Sequence, residues 1–135
     1  MIIKGLIFDL DGVLVDTKKI HFDALNYALE TVKFEPISLK EHLNTFDGLP
    51  TNEKLKILNQ TKDLKKIFFD KIKKIKQKKT QQLLKNKIKF NSKIHKIFLK
   101  LSKKYKICIA TNAVKNTLDV CLKKMKIEKF ILKSF

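Results

Sequence analysis

Two aspartates one residue apart, Asp9 and Asp11, close an apolar run made of Ile2, Ile3, Leu6, Ile7 and Phe8, and Gly12 follows directly. Carboxylates in that position can hold a cation, exchange a proton or attack an electrophile. Left uncompensated at the end of a buried strand they are costly, so a cation, hydrogen bonds or a substrate must offset them. Side chains at i and i+2 of an ideal strand share a face, which lets both acids approach one ligand. Gly12 allows the backbone to turn sharply after the pair. The plainer reading is a strand that ends in a solvated acidic turn.

The element that must carry the pair reads as a short, buried parallel strand, rich in branched residues. In open α/β sheets the carboxyl ends of such strands are where ligands bind. Asp16 or Thr17 can cap the next element, and Phe22, Leu25, Leu29 and Val32 predict a helix over 18–33, broken at Glu35-Pro36. Ser38-Leu39-Lys40-Glu41 is a capping box, opening a short helix with Leu39, Leu43 and Phe46 on one face. After the turn Asp47-Gly48-Leu49-Pro50, Thr51 is expected to cap a helix bearing Leu55 and Leu58. Asp63 is expected to start a long lysine-rich helix, striped by Leu64, Ile67, Phe68, Ile72 and Ile75 and running on to Leu83 and Leu84.

An α/β pattern then resumes. Ile94, Ile97, Phe98 and Leu101 mark a helix, 105–110 a strand ending at Thr111-Asn112, and Leu118 to Met125 another helix. Phe130-Ile131-Leu132 opens a third strand. The predicted fold class is α/β, with an incomplete parallel sheet of about three strands in residues 1–16 and 90–135 and an all-helical insert over 17–89.

At 135 residues the chain is of single-domain length. Its formal charge of +18 first suggests nucleic acid or an anionic membrane surface. Every basic residue is lysine, however, and arginine is the preferred residue for bidentate phosphate and base recognition. The charge therefore reads as a solvated lysine surface, and nucleic acid is not the expected partner. Cys108 and Cys121 lack metal-type spacing and sit in apolar patterns, so buried free thiols in a reducing compartment are expected. No signal-type region opens the chain, and no apolar stretch approaches the ~20 residues of a membrane span. The expectation is a cytoplasmic protein.

The stretch Asp9-Leu10-Asp11-Gly12-Val13-Leu14-Val15-Asp16-Thr17 resembles the first motif of the haloacid dehalogenase (HAD) superfamily. The likeness is to its phosphatase and beta-phosphoglucomutase branch with a helical cap, and it extends over nearly the whole chain. It implies a Rossmann-like core with residues 17–89 as the cap. It also implies phosphoryl transfer from a small phosphorylated metabolite through an aspartyl-phosphate, with Mg²⁺ as cofactor. By this resemblance Asp9 is the nucleophile and a metal ligand. Asp11 is the acid that protonates the leaving oxygen and then activates water, its backbone carbonyl also on the metal. Thr111 matches the family's second motif and would bind a phosphoryl oxygen, helped by Asn112. The helix starting near Val114 turns its positive end toward that spot, although Thr-Asn after a strand also serves as an ordinary helix cap. Lys115 is a candidate phosphate contact of little specificity in so lysine-rich a chain.

In the cap, His21 falls where the phosphomutase branch carries a histidine that reaches the active site; a surface histidine is the alternative. Gly48-Leu49-Pro50-Thr51 resembles the family's substrate-specificity turn, but Asn52 stands where relatives often have arginine. The family's third motif, a Lys-Pro after an acidic turn, and its fourth, acids on a later strand, are not found after Thr111. The resemblance therefore implies a chain truncated before those motifs. It leaves the first strand at an open edge prone to self-association. It also keeps open a non-catalytic, ligand- or partner-binding relative, or a fragment of a longer enzyme.

Overall fold

The structure, a computed structural model, describes residues 3–135, so Ile2 of the first apolar run lies outside the described residues. The elements in order are β1 (Gly5–Asp9), α1 (Lys18–Thr31), α2 (Leu39–Glu41), α3 (Thr51–Lys62), α4 (Phe69–Lys87), α5 (Ser92–Leu101), β2 (Lys106–Ala110), α6 (Lys115–Met125) and β3 (Ile131–Ser134). They fall into two compact units: Met1–Thr17 with Leu83–Phe135, and Lys18–Gln82. Helix α4 runs across the division.

The first unit is built on a parallel sheet of order β1-β2-β3. The fold is thus the Rossmann-like, three-stranded arrangement with a helical insert. Both crossovers advance in the same direction across the sheet, and right-handed crossovers in one direction lay their helices on one face. Helix α5 illustrates this: Phe98 is buried and its ring lies 5.0 Å from that of Phe8. Ile107 and Ile109, the register partners of Leu6 and Phe8, are buried on that same face.

The opposite face is open. Ile7 is 69% exposed, and β1 alternates between exposed and half-buried along its length. The expectation of a buried first strand is therefore corrected. β1 is the edge of the described sheet, and no helix among the described residues covers its Gly5–Ile7–Asp9 face. Cys108 is half-buried rather than buried because it shares that face, whereas Cys121 on α6 is fully buried.

The second unit packs Leu25, Ala28 and Leu29 of α1 against Phe46, Leu55, Leu58, Leu64 and Ile72. Asn26 locks the loop after α1 by donating to the Ile37 carbonyl and accepting from the Ile37 amide, both at 2.9 Å. Helix α1 ends at Thr31, before Pro36, because Lys33 turns left-handed (φ 58). Ser38 caps α2 as expected, its hydroxyl accepting from the Glu41 amide at 3.1 Å. The chain then passes into a π-type turn, His42–Phe46, closed by the Asp47 amide donating to the His42 carbonyl at 2.8 Å. That turn shifts the helical phase. Of the expected face Leu39 and Leu43 are exposed and Phe46 is buried, and His42 is buried along with it.

Two further boundaries differ from the sequence expectation. Pro50, not Thr51, is the N-cap of α3, and Thr51 is its first residue. Asp63 does not start the lysine-rich helix; it ends α3 in the left-handed region (φ 57), and α4 begins at Phe69 after a 3₁₀ turn. No helix among the described residues is long and apolar enough to cross a membrane.

Candidate active site

The register of β1 against β2 positions the first group of residues. Asp9 is the Cα partner of Ala110, so Thr111 emerges beside Leu10 at the carboxyl edge of the sheet. Thr111 is held there by its amide, which donates to the Phe135 carbonyl at 3.0 Å as β3 runs alongside. Helix α6 starts four residues later, at the same edge, and Lys115 is its first residue.

Asp9 ends β1 with an exposed side chain, and its Oδ1 accepts the Leu10 amide at 2.7 Å. The strand stops there, so the ideal-strand argument for the two acids does not apply to Asp11. A closed loop positions it instead. The amides of Leu14 and Val15 donate to the Leu10 carbonyl at 3.0 and 3.1 Å, and the Gly12 amide to the Val15 carbonyl at 2.8 Å. Gly12 takes φ 77, which a residue with a Cβ reaches only at a cost. Leu10, Leu14 and Val15 are buried and anchor the loop from beneath. Thr17, also buried, donates its hydroxyl to Oδ1 of Asp11.

Thr111 is half-buried, and its Oγ1 accepts the Ala113 amide at 3.1 Å. With that lone pair engaged, the hydroxyl proton remains available to a second acceptor. Asn112 and Lys115 are exposed. Below the loop, the Cys121 thiol is pushed up to about 11, by burial first and by the Asp11 carboxylate second.

The donor set at this edge consists of hard oxygens, the kind Mg²⁺ takes. Mg²⁺ is commonly held by one or two carboxylates plus substrate phosphate and water. Asp9 and Asp11 meet that minimum. Among the described residues no group of three or more His, Cys, Asp or Glu converges.

The other sequence-derived candidates lie in the helical unit. His21 is half-buried on α1, and Gly48 takes φ 76 in the turn before α3. Thr51 Oγ1 accepts from Lys76 Nζ at 2.7 Å, and Asn52 is exposed beside it in sequence. Sequence reasoning missed His42 and Lys54, 1% and 4% exposed. The His42 ring packs 5.2 Å from that of Phe22, and neither of its nitrogens has a hydrogen-bond partner. Burial first, then the Lys54 ammonium, lowers the pKa of His42, with Asp47 opposing. Burial likewise lowers the pKa of Lys54 against the pull of Asp47. Asp47 is itself held low by its ion pair with Lys18 at 2.9 Å. The available signal was a histidine four residues before a buried Phe46 and a lysine directly before Leu55, both on apolar stripes.

Residues 6–133 match the model of the haloacid dehalogenase-like hydrolases. Among solved structures, a Thermotoga maritima protein with a provisional beta-phosphoglucomutase name is 25% identical (TM-score 0.71); the alignment covers 98% of this chain and 60% of that one. A beta-phosphoglucomutase from Clostridium difficile is 22% identical (TM-score 0.74), with 98% and 61% covered. CbbY from Rhodobacter sphaeroides, solved with phosphate, is 15% identical (TM-score 0.83), with 98% and 63% covered. The latter two likenesses show the fold alone. The chain thus spans about 60% of the length of these structures. No curated protein matches the sequence.

Proposed function

Because the chain belongs to the haloacid dehalogenase-like hydrolases, we propose that its carboxyl sheet edge transfers the phosphoryl group of a small phosphorylated metabolite, such as a sugar phosphate or phosphoglycolate. The observation that supports the reading is the pairing of Asp9 with Ala110, which ends β1 and β2 together, so that Asp9 and, one residue past Ala110, Thr111 both belong to the carboxyl edge of the sheet. Asp9 Oδ1 is occupied by the Leu10 amide, so Oδ2 is the oxygen left to attack phosphorus. As the Asp9–phosphorus bond forms, the bond to the leaving oxygen breaks, and Asp11 gives that oxygen its proton. In the second half, Asp11 takes a proton from water, whose oxygen attacks phosphorus and releases Asp9. Thr17 keeps Asp11 oriented through both halves. Thr111 donates to a non-bridging phosphoryl oxygen, and the first turn of α6 adds its dipole. Asp9 and Asp11 would hold Mg²⁺, which when bound offsets phosphate charge. His21, Gly48, Thr51 and Asn52 are the helical unit's own candidates for substrate recognition.

A second reading rests on the donor set at this edge, where Asp9 and Asp11 meet only the minimum that Mg²⁺ takes. It is a catalytically incomplete relative that binds a phosphorylated ligand or another chain. One experiment separates the two: hydrolysis of p-nitrophenyl phosphate with and without Mg²⁺, comparing this chain with Asp9→Asn. Turnover that needs Mg²⁺ and falls about 100-fold or more in the variant supports the enzyme. Turnover equal to the variant's, with phosphate binding retained, supports the incomplete relative.

A further inference from the structure

A second set of charged groups lies at the other edge of the sheet. Lys126 to Phe130 lead into β3, at the amino edge, whereas Asp9 and Thr111 stand at the carboxyl edge. A cavity of ≈ 440 Å³ is lined there by His95, Lys123, Lys126, Glu128 and Lys129. All of these belong to the α/β unit.

The walls are ordered by stacked rings. The His95 imidazole sits between two phenyl rings in edge-on contact, Phe90 at 5.5 Å and Phe130 at 5.4 Å. Each outer ring carries an ammonium: Lys126 Nζ lies 5.2 Å from the Phe90 centroid, and Lys129 Nζ lies 5.2 Å from that of Phe130. Such contacts favour one placement of a long side chain, so less rotamer freedom remains to be lost when a ligand binds. His95 Nδ1 is buried without a hydrogen-bond partner. A buried nitrogen in that state is a standing cost.

Charge points the same way. The three lysines face a single carboxylate, Glu128, and among the described residues none of the three is ion-paired. Three like charges around one concavity repel, and an anion between them removes that repulsion. Lysine binds phosphate as a point charge rather than through a planar fork, which suits a small oxyanion with several negative charges.

We propose that this cavity binds a small multivalent oxyanion of the phosphate class, separately from the Asp9–Thr111 edge. The probe is inorganic pyrophosphate, titrated into the full chain by calorimetry in EDTA at physiological salt. The His95 ring nitrogens are followed by NMR in the same titration. One-site saturable binding is expected, with the His95 ring signals moving along the same isotherm. The pair Lys126→Gln/Lys129→Gln should weaken it about tenfold or more. Lys40→Gln/Lys65→Gln, on exposed lysines of the helical unit, and Thr111→Ala should leave it unchanged. No saturable binding, unmoved His95 signals, or equal weakening by both lysine pairs would overturn the proposal. So would loss of binding in Thr111→Ala, which would place the anion at the other edge of the sheet.

Discussion

The buried hydroxyl of Thr17 donates to Oδ1 of Asp11, tying the second acid of the loop to the residue where α1 is about to start. If Asp11 is the proton carrier, that bond fixes its direction without touching substrate. Thr17→Val keeps the shape and removes the donor, so kcat should fall about tenfold or more while KM holds. Thr17→Ser should recover most of the loss. Stability should drop by about 1 kcal/mol in the valine variant. A valine variant with wild-type kcat would remove Thr17 from any positioning role.

Cys121 gives the unit a pH signature. Its thiol is raised from 9.0 to about 11, by burial and then by Asp11. In that interval the unfolded chain releases the thiol proton first, so the folded state holds more protons. Stability is therefore fully present below the unfolded pKa and is lost as pH rises through the folded one. Between pH 9 and 11 the wild type should lose stability faster than Cys121→Ala, by an amount of order 2 kcal/mol. Thermal unfolding of the two proteins across that range measures it, and the lysines cancel in the difference. Parallel curves would refute the linkage.

What could be read from the sequence, and what could not, divides along physical lines. The apolar run before Asp9, the spacing of α1, α5 and α6, and the Ser38 capping box depend on neighbours close in the chain, and they were legible. The exposure of Ile7 depends on which strands flank β1 and which face the crossovers choose, and no local pattern carries that. The burial of His42 likewise follows from a π-type turn whose phase cannot be told from a run of helical residues, and that of Lys54 from its place on α3 beside Leu55 and one turn from Leu58. Asp63 departs from its expected role because an acid after a polar stretch looks the same whether it starts a helix or closes one in the left-handed region. At the candidate site, the two acids stand out in the sequence, but the loop hydrogen bonds that hold Asp11 do not.

His42 should make the helical unit sensitive to acid. Burial and the Lys54 ammonium lower its pKa below 6.5, so the unfolded chain takes up the proton first as pH falls. The stability this group confers is present above the unfolded pKa and is lost as pH drops through the folded one. Denaturant midpoints measured from pH 7.5 to 5 should fall in the wild type and fall less in His42→Leu. At pH 7.5 the leucine variant should lose less than about 1 kcal/mol, because it also removes two unpaired buried nitrogens. A larger loss at pH 7.5 would mean that those nitrogens do have partners in solution.

The open edge of β1 supports a prediction about association. Among the described residues the strand has no pairing neighbour on one side and carries Ile7, 69% exposed, on its open face, which together form a template for another strand. Opposing this is a formal charge of +18, which keeps copies apart at low ionic strength. The balance between the two should shift with salt, since screening shortens the repulsion to roughly 8 Å at physiological strength and roughly 3 Å at 1 M while leaving the apolar contact intact. Sedimentation velocity at micromolar concentration should therefore show association that grows as salt is added. Ile7→Lys should suppress it at every salt concentration. The substitution should change folding stability by no more than about 0.5 kcal/mol, because the side chain it replaces is already in water. A wild-type chain that stays monomeric at high salt would show that the open edge does not recruit a second copy, and an Ile7→Lys chain that still associates would place the contact elsewhere on the surface.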